Sequence, residues 1–164
     1  MVLVGHKRLR EEVLLAVKGI ELAIEAAKKS GFKLKIAGEI AGFKKLDDIE
    51  TLGRITEQEK ANLMAGAKGF LALERSPDFG ITPVESMLCG TPVIAFNGGG
   101  YRETVLNNKT GILFDDYSVD GLINTIERFE KLKWDRNLII KHAKKFSKEI
   151  FVKKMKTICQ SYQR

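Results

Sequence analysis

Short apolar runs alternate along this chain with stretches in which apolar residues recur every three or four positions. Residues 2–4, 34–37, 49–52, 70–73, 93–95 and 112–114 read as strands, and helical patterns lie between them. Strand and helix in strict alternation build an open sheet with a helix returning the chain between neighbouring strands. The expected fold class is therefore α/β, a Rossmann-like open parallel sheet with helices on both faces.

Local signals fix where several helices start and stop. Thr56, Glu57, Gln58 and Glu59 have the spacing of a capping box, in which the threonine accepts from a free amide and the glutamate reaches back, ahead of a helix through about Ala67. Gly69 then releases the chain into a strand. The same logic at Thr82, Pro83, Val84 and Glu85 predicts a helix with Pro83 in its first position, where the missing N–H has no partner to lose. Gly90 and Pro92 end it.

From about Ser118 the chain reads as helices over 119–132, around 138–145 and over 149–162. In the last of these Ile150, Phe151, Met155, Ile158 and Tyr162 recur at near-helical spacing, and they are expected to pack on a protein core. The lysines around them leave binding to a membrane surface as the other reading. No repeat, low-complexity linker or internal boundary interrupts residues 1–164, so a single domain is expected.

With 164 residues and 44% apolar content, the chain can bury one substantial core. No run of about 18 apolar residues occurs, and the opening residues lack the pattern of a secretory signal, so a soluble cytoplasmic protein is expected. Cys89 and Cys159 are far apart, form no CxxC and have only His6 and His142 as companions. Neither a disulfide nor a zinc site is expected, and Cys89 reads as a small buried residue. The net charge of +7 suits a phosphate-bearing partner. No aromatic stripe is interleaved with the lysines, which argues against nucleic acid.

The densest run of signals is residues 76–105, SPDFGITPVESMLCGTPVIAFNGGGYRETV. It holds a turn with Gly80, a helix start, a buried strand and a triple-glycine loop. Exposed amides and a helix N-terminus at one edge of a parallel sheet predict a ligand crevice there. Gly98, Gly99 and Gly100 fit either a loop that lets backbone approach a ligand or a plain flexible turn. Arg102 and Glu103 begin the next short helix.

DFGITPVESMLCGTPVIA followed by GGGYRETV and NNKTGILF resembles the signature of the retaining glycosyltransferase family 4, in the C-terminal, donor-binding half of its two-domain GT-B fold. KGIELAIEAAKK, IETLGRITEQE and FSKEIFVKKM resemble its first helix, a mid-domain strand with turn, and its final helix. The resemblance implies that Glu85 accepts hydrogen bonds from the ribose hydroxyls of a nucleotide. The other reading for Glu85 is a capping bond to the Thr82 amide. It further implies that Phe79, Gly80, Ile81 and Thr82 form the turn facing the donor sugar and diphosphate, and that Arg54 lies on the loop nearing the base. Lys18 would contact the diphosphate, against the alternative of a solvated helix-start lysine.

The implied reaction is transfer of a hexose from a nucleoside-diphosphate sugar with retention, without metal or cofactor, and the wording of the motif resembles mannosyltransferase-like members, which points to GDP-mannose. Three departures bear on it. The family's first glutamate, eight positions before Glu85, is here Pro77, so the catalytic residue is unassigned, and neither Asp78 nor Glu74 takes its place. Gly5, His6, Lys7 and Arg8 precede what reads as an insertion, EEVLLAV, and the diphosphate-binding arginine is unidentified. The stretch between Gly38 and Ile49 is short, which implies a reduced or lost helix. An N-terminal acceptor domain is expected to be absent, so partners would be the nucleotide sugar, a separate chain carrying that domain, and a lipid or glycan acceptor at the cytoplasmic face of a membrane. The alternative function is a non-catalytic nucleotide-binding or regulatory module derived from the same family.

Overall fold

The computed structural model describes residues 2–5, 13–15, 19–38 and 48–161. Seven strands, β1 (Val2–Gly5), β2 (Val13–Leu15), β3 (Lys33–Ala37), β4 (Ile49–Gly53), β5 (Phe70–Ala72), β6 (Val93–Phe96) and β7 (Gly111–Phe114), form one sheet in the order β4-β3-β1-β2-β5-β6-β7. Six of them make the expected parallel sheet: β3 pairs in parallel with β2 and β4, β5 with β2 and β6, and β6 with β7.

The departure is β1, which runs antiparallel to β2 and β3. A parallel crossover needs a dozen or more residues, and only residues 6–12 separate β1 from β2, so adjacent strands joined this tightly must reverse direction. The run EEVLLAV is thus not a plain insertion, because it carries β2, the parallel strand that precedes the first helix. The intervening His6, Lys7 and Arg8, the shortened stretch 39–47, Lys18 and Tyr162 all lie outside the described residues.

The helices α1 (Ile20–Ser30), α2 (Glu57–Gly66), α3 (Ile81–Leu88), α4 (Tyr101–Thr104), α5 (Val119–Lys131), α6 (Arg136–Ala143) and α7 (Lys148–Ser161) follow, with a 3-10 turn at Lys144–Phe146. They cover both faces of the sheet, α1 packing with α5 in one group and α3 with α2 and α6 in the other. Alanines 23, 26 and 27 of α1 are buried, and their small side chains let the helix approach Phe32, Leu34 and Ile36, also buried. The capping box at α2 is present: the Glu59 amide donates to Thr56 Oγ1 at 3.2 Å and the Thr56 amide donates to Glu59 Oε2 at 2.7 Å. Those bonds from Thr56 hold the Glu59 carboxyl below its ordinary pKa.

The last helix overturns an expectation. No residue of α7 is buried, and Phe151 is 62% and Ile158 49% exposed. The apolar periodicity is present, but among the described residues no element buries its stripe. No helix of the described residues is long and apolar enough to cross a membrane.

Candidate functional site

The carboxyl ends of β4, β5, β6 and β7 and the N-termini of α2, α3 and α4 meet at one edge of the sheet, where open α/β folds bind ligands. A cavity of about 430 Å³ opens there, bordered by Glu74, Pro77, Phe79, Gly80, Ile81 and Thr82. Its wall is a loop leaving β5, held against the glycine triplet after β6. A Cβ at Gly98 would lie 2.3 Å from the Arg75 carbonyl oxygen, one at Gly99 2.1 Å from that of Pro77, and one at Gly100 2.5 Å from that of Asp78. The Gly100 amide donates to the Pro77 carbonyl at 3.0 Å. The triplet therefore serves a purpose that neither sequence reading held: it lets two backbone loops interlock.

At the far end of this loop Gly80 adopts the left-handed conformation, φ +81°, and starts α3 at Ile81. A side chain there would meet the ring of Tyr101 at 2.7 Å. The helix thus begins earlier than the predicted start at Pro83, which becomes its third residue, still in the turn whose amides have no partner within the helix. Consequently Thr82 is not the cap, Glu85 does not reach back to it, and no side chain caps α3 at all. Amides in that first turn remain available to an acceptor in the cavity, and the helix dipole favours a negatively charged one.

The six residues carried over by resemblance and described here fall into three places. Phe79, Gly80, Ile81 and Thr82 share the cavity with Pro77, as expected of one turn. Phe79 leans its ring edge-on against Phe146 at 5.7 Å, and Ile81 is 66% exposed. Arg54 borders a second hollow of about 520 Å³ between the end of β4 and α2, shared with Ile55, Glu59 and Asn62. Glu85 borders neither. It faces α2, where Lys60 Nζ stands 3.3 Å from its Oε1 and 3.2 Å from its Oε2, and 2.6 Å from Glu57 Oε2. Burial pulls the Lys60 pKa down, but the hydrogen bonds and charges of Glu57 and Glu85 outweigh it and raise the value.

Sequence reasoning missed three participants. Tyr101 borders the cavity as a buried residue whose hydroxyl pKa is pushed up to about 12, first by burial and then by the Glu74 carboxylate. Tyr117 donates to the Leu73 carbonyl at 2.7 Å and carries the Arg75 guanidinium 5.1 Å over its ring, which anchors the start of the loop that walls the cavity. Lys60 was one lysine among many. Gly19, the residue before α1, abuts Leu73 and the Tyr117 hydroxyl, so the start of α1 reaches the same edge.

Two further candidates have assigned structural roles. Arg102 donates through Nη2 to the Asn97 carbonyl at 2.8 Å and through Nε to Asn97 Oδ1 at 3.1 Å, and so braces the glycine loop. Cys89 is half-buried, and burial raises its thiol pKa, which disfavours a nucleophilic thiolate. Among the described residues no three His, Cys, Asp or Glu side chains cluster as metal ligands.

A doubly wound sheet with an uncapped helix N-terminus at its carboxyl edge defines a Rossmann-like α/β domain of the GT-B type. The model of the family described as glycosyl transferases group 1 matches residues 12–146, and the chain belongs to that family. The match begins immediately before β2, which agrees with β2 rather than β1 as the first strand of the family's domain. An uncharacterised glycosyltransferase of Methanocaldococcus jannaschii is 30% identical over 141 residues, 80% of this chain and 40% of that protein. The alpha-1,3/1,6-mannosyltransferase ALG2 of Rhizomucor pusillus is 35% identical over 115 residues, 69% of this chain and 25% of its own length. Among solved structures, HepE of Anabaena in complex with UDP and glucose superposes with a TM-score of 0.68 at 22% identity, over 92% of this chain and 47% of that one. The chain thus spans less than half the length of each of these relatives.

Proposed function

We propose that this chain is the donor-binding half of a retaining glycosyltransferase, holding a nucleoside-diphosphate sugar whose hexose is passed to an acceptor bound elsewhere. The observation that carries the reading is the start of α3: a left-handed glycine, no capping side chain, and a cavity in front of the free amides. A diphosphate is the ligand group that best matches such a terminus. Glu85, on the next turn, offers a charged acceptor to the ribose diol, and a hydrogen bond of that kind contributes roughly 1.5–3 kcal/mol. The hollow beside Arg54 is the place for the base, and the cavity beside Pro77 and Asp78 the place for the sugar. Likeness to the mannosyltransferase ALG2 over part of the chain supports mannose as the hexose, and GDP-mannose is the donor proposed.

The second reading is a module that binds the nucleotide and has lost transfer. One observation favours it: Pro77, where the family signature has its first glutamate, is buried and presents only a carbonyl, already accepting from Gly100. An acceptor half supplied by a separate chain, with a lipid or glycan acceptor at a membrane surface, belongs to the first reading. The deciding experiment is a thermal-shift titration against GDP, UDP, ADP and their sugar conjugates. A ligand at 100 times its Kd stabilises by about 2.7 kcal/mol. One base is expected to stand out, with the shift abolished in Glu85→Ala. No shift with any ligand at millimolar concentration overturns both readings for the isolated chain. Sugar transfer after adding an N-terminal half from a relative separates the first reading from the second.

A further inference from the structure

We propose that Lys60 is a positioning residue for the nucleotide: it holds the Glu85 carboxylate by a hydrogen bond to Oε1 and leaves acceptor sites on that carboxylate for a ribose hydroxyl. The inference rests on the reading of Glu85 as the ribose acceptor and adds the group that makes it effective. A carboxylate offers about four lone-pair sites on its two oxygens. Lys60 Nζ donates to Oε1 at 3.3 Å and stands 3.2 Å from Oε2 as an ion pair. Outward-facing acceptor sites of the carboxylate remain for a ribose hydroxyl.

Without Lys60, Glu85 would turn freely about its side-chain bonds, and binding would have to absorb the loss of that freedom. The clamp is itself anchored. Glu57 holds the same ammonium at 2.6 Å, so two carboxylates tie Lys60 in place. The contact joins α2 to α3 across 25 positions of sequence, so it is a tertiary arrangement rather than a helix-surface pair. The Lys60 side chain is 23% exposed and that of Glu85 36%, which leaves the carboxylate reachable while shielding the ammonium.

The test compares ribose with its deoxygenated form. The full chain is titrated calorimetrically with GDP, UDP and ADP, and then with the 2′,3′-dideoxy counterpart of the nucleotide that binds, for the unmodified protein and for Lys60→Met, Lys60→Arg and Glu85→Gln. Circular dichroism checks that each is folded, and Lys60→Gln replaces Lys60→Met should the latter melt. Lys60→Met is expected to weaken the ribose nucleotide by roughly tenfold and the dideoxy form by less than about twofold, with Lys60→Arg retaining most of the affinity. An equal loss on both nucleotides reduces Lys60 to a structural or general electrostatic role, and overturns the proposal. So does an unchanged or tightened affinity, which would make the lysine a bystander or a competitor for the carboxylate. If Glu85→Gln erases the preference for ribose while Lys60→Met does not, only the positioning role falls. If Glu85→Gln has no such effect, or the unmodified chain binds no nucleotide, the assignment of Glu85 falls and the clamp with it.

Discussion

Three glycines on the ligand edge allow backbone strain and loop interlock to be measured separately. A Cβ at Gly53 meets nothing within 4 Å, but the residue sits at φ +62°, so Gly53→Ala isolates conformational strain. At Gly100 φ is −63°, ordinary for any residue, yet a Cβ would stand 2.5 Å from the Asp78 carbonyl oxygen and from the Phe79 Cα, so Gly100→Ala isolates the clash. Gly99 combines the two, with φ +45° and a Cβ position 2.1 Å from the Pro77 carbonyl. The left-handed conformation costs a non-glycine residue about 1–2 kcal/mol. Overpacking against backbone costs about 1–3 kcal/mol. Restricting the unfolded chain returns roughly 0.4–1 kcal/mol in every alanine variant. With the clash taken at about 2–3 kcal/mol because it falls on backbone, the expected losses are up to about 1.6 kcal/mol for Gly53→Ala, about 1–2.6 for Gly100→Ala and the largest, about 2–4.6, for Gly99→Ala. Urea unfolding at fixed pH measures all three, and an unchanged m-value would show that stability has changed without a change in the surface exposed on unfolding. Should Gly100→Ala be as stable as the unmodified chain, the two loops do not interlock as described and the shape of the cavity has another origin.

The remaining predictions concern stability. Arg136 donates through Nη2 to the Cys89 carbonyl at 2.6 Å and through Nη1 to that of Ala65 at 3.4 Å, tying down the ends of α3 and α2. Arg136→Ala is expected to cost about 1 kcal/mol in thermal melts, given the exposure of the side chain, and Arg136→Lys, which cannot fork, recovers little. Thr56→Ala removes the α2 cap at about 1 kcal/mol. Because the folded Glu59 pKa is lowered from 4.5, its contribution is present above that value and lost as pH falls through the folded pKa. The gap between the unmodified chain and Thr56→Ala should accordingly narrow below pH 4.5, and a gap that widens in acid would contradict the capping box. Removing residues 148–164 should leave the melting midpoint of the chain nearly unchanged, because no residue of α7 is buried. A marked drop would show that α7 packs against this chain after all.

What the sequence disclosed and what it withheld divide along the range of the interactions. The runs at 34–37, 49–52, 70–73, 93–95 and 112–114 are strands within a residue of their expected ends, and Thr56 with Glu59 forms the box that their spacing encodes, because period and capping are local. Thr82 misled for the opposite reason. Its capping spacing is correct, but Gly80, which adopts the left-handed region because it has no Cβ and thereby also leaves room for the Tyr101 ring, starts the helix first. Leu14 and Leu15 in EEVLLAV gain strand character only from pairing with Phe70 and Leu71, more than fifty positions away. Lys60 carried no signal, since nothing local distinguishes a lysine 25 residues from its partner. The stripe of α7 was legible as periodicity, but a pattern states that a face is apolar, not that an element of the same chain covers it.

At Pro77 the requirements of the fold and of the chemistry come apart. The loop that walls the cavity is held by backbone: the Pro77 carbonyl accepts from Gly100, and the glycine triplet admits the carbonyls of Arg75, Pro77 and Asp78 to close range. Any residue at position 77 supplies that carbonyl, so a glutamate is not needed to shape the crevice. Proline even favours the shape, since its fixed φ removes freedom from the unfolded loop at little cost to the folded one. The uncapped amides of α3 and the Glu85 carboxylate clamped by Lys60 likewise owe nothing to a side chain at position 77. A site built this way keeps its backbone geometry with or without a carboxylate at position 77. On the proposed reading, affinity for a nucleotide sugar and competence in transfer are therefore separable, and the first is expected irrespective of the second.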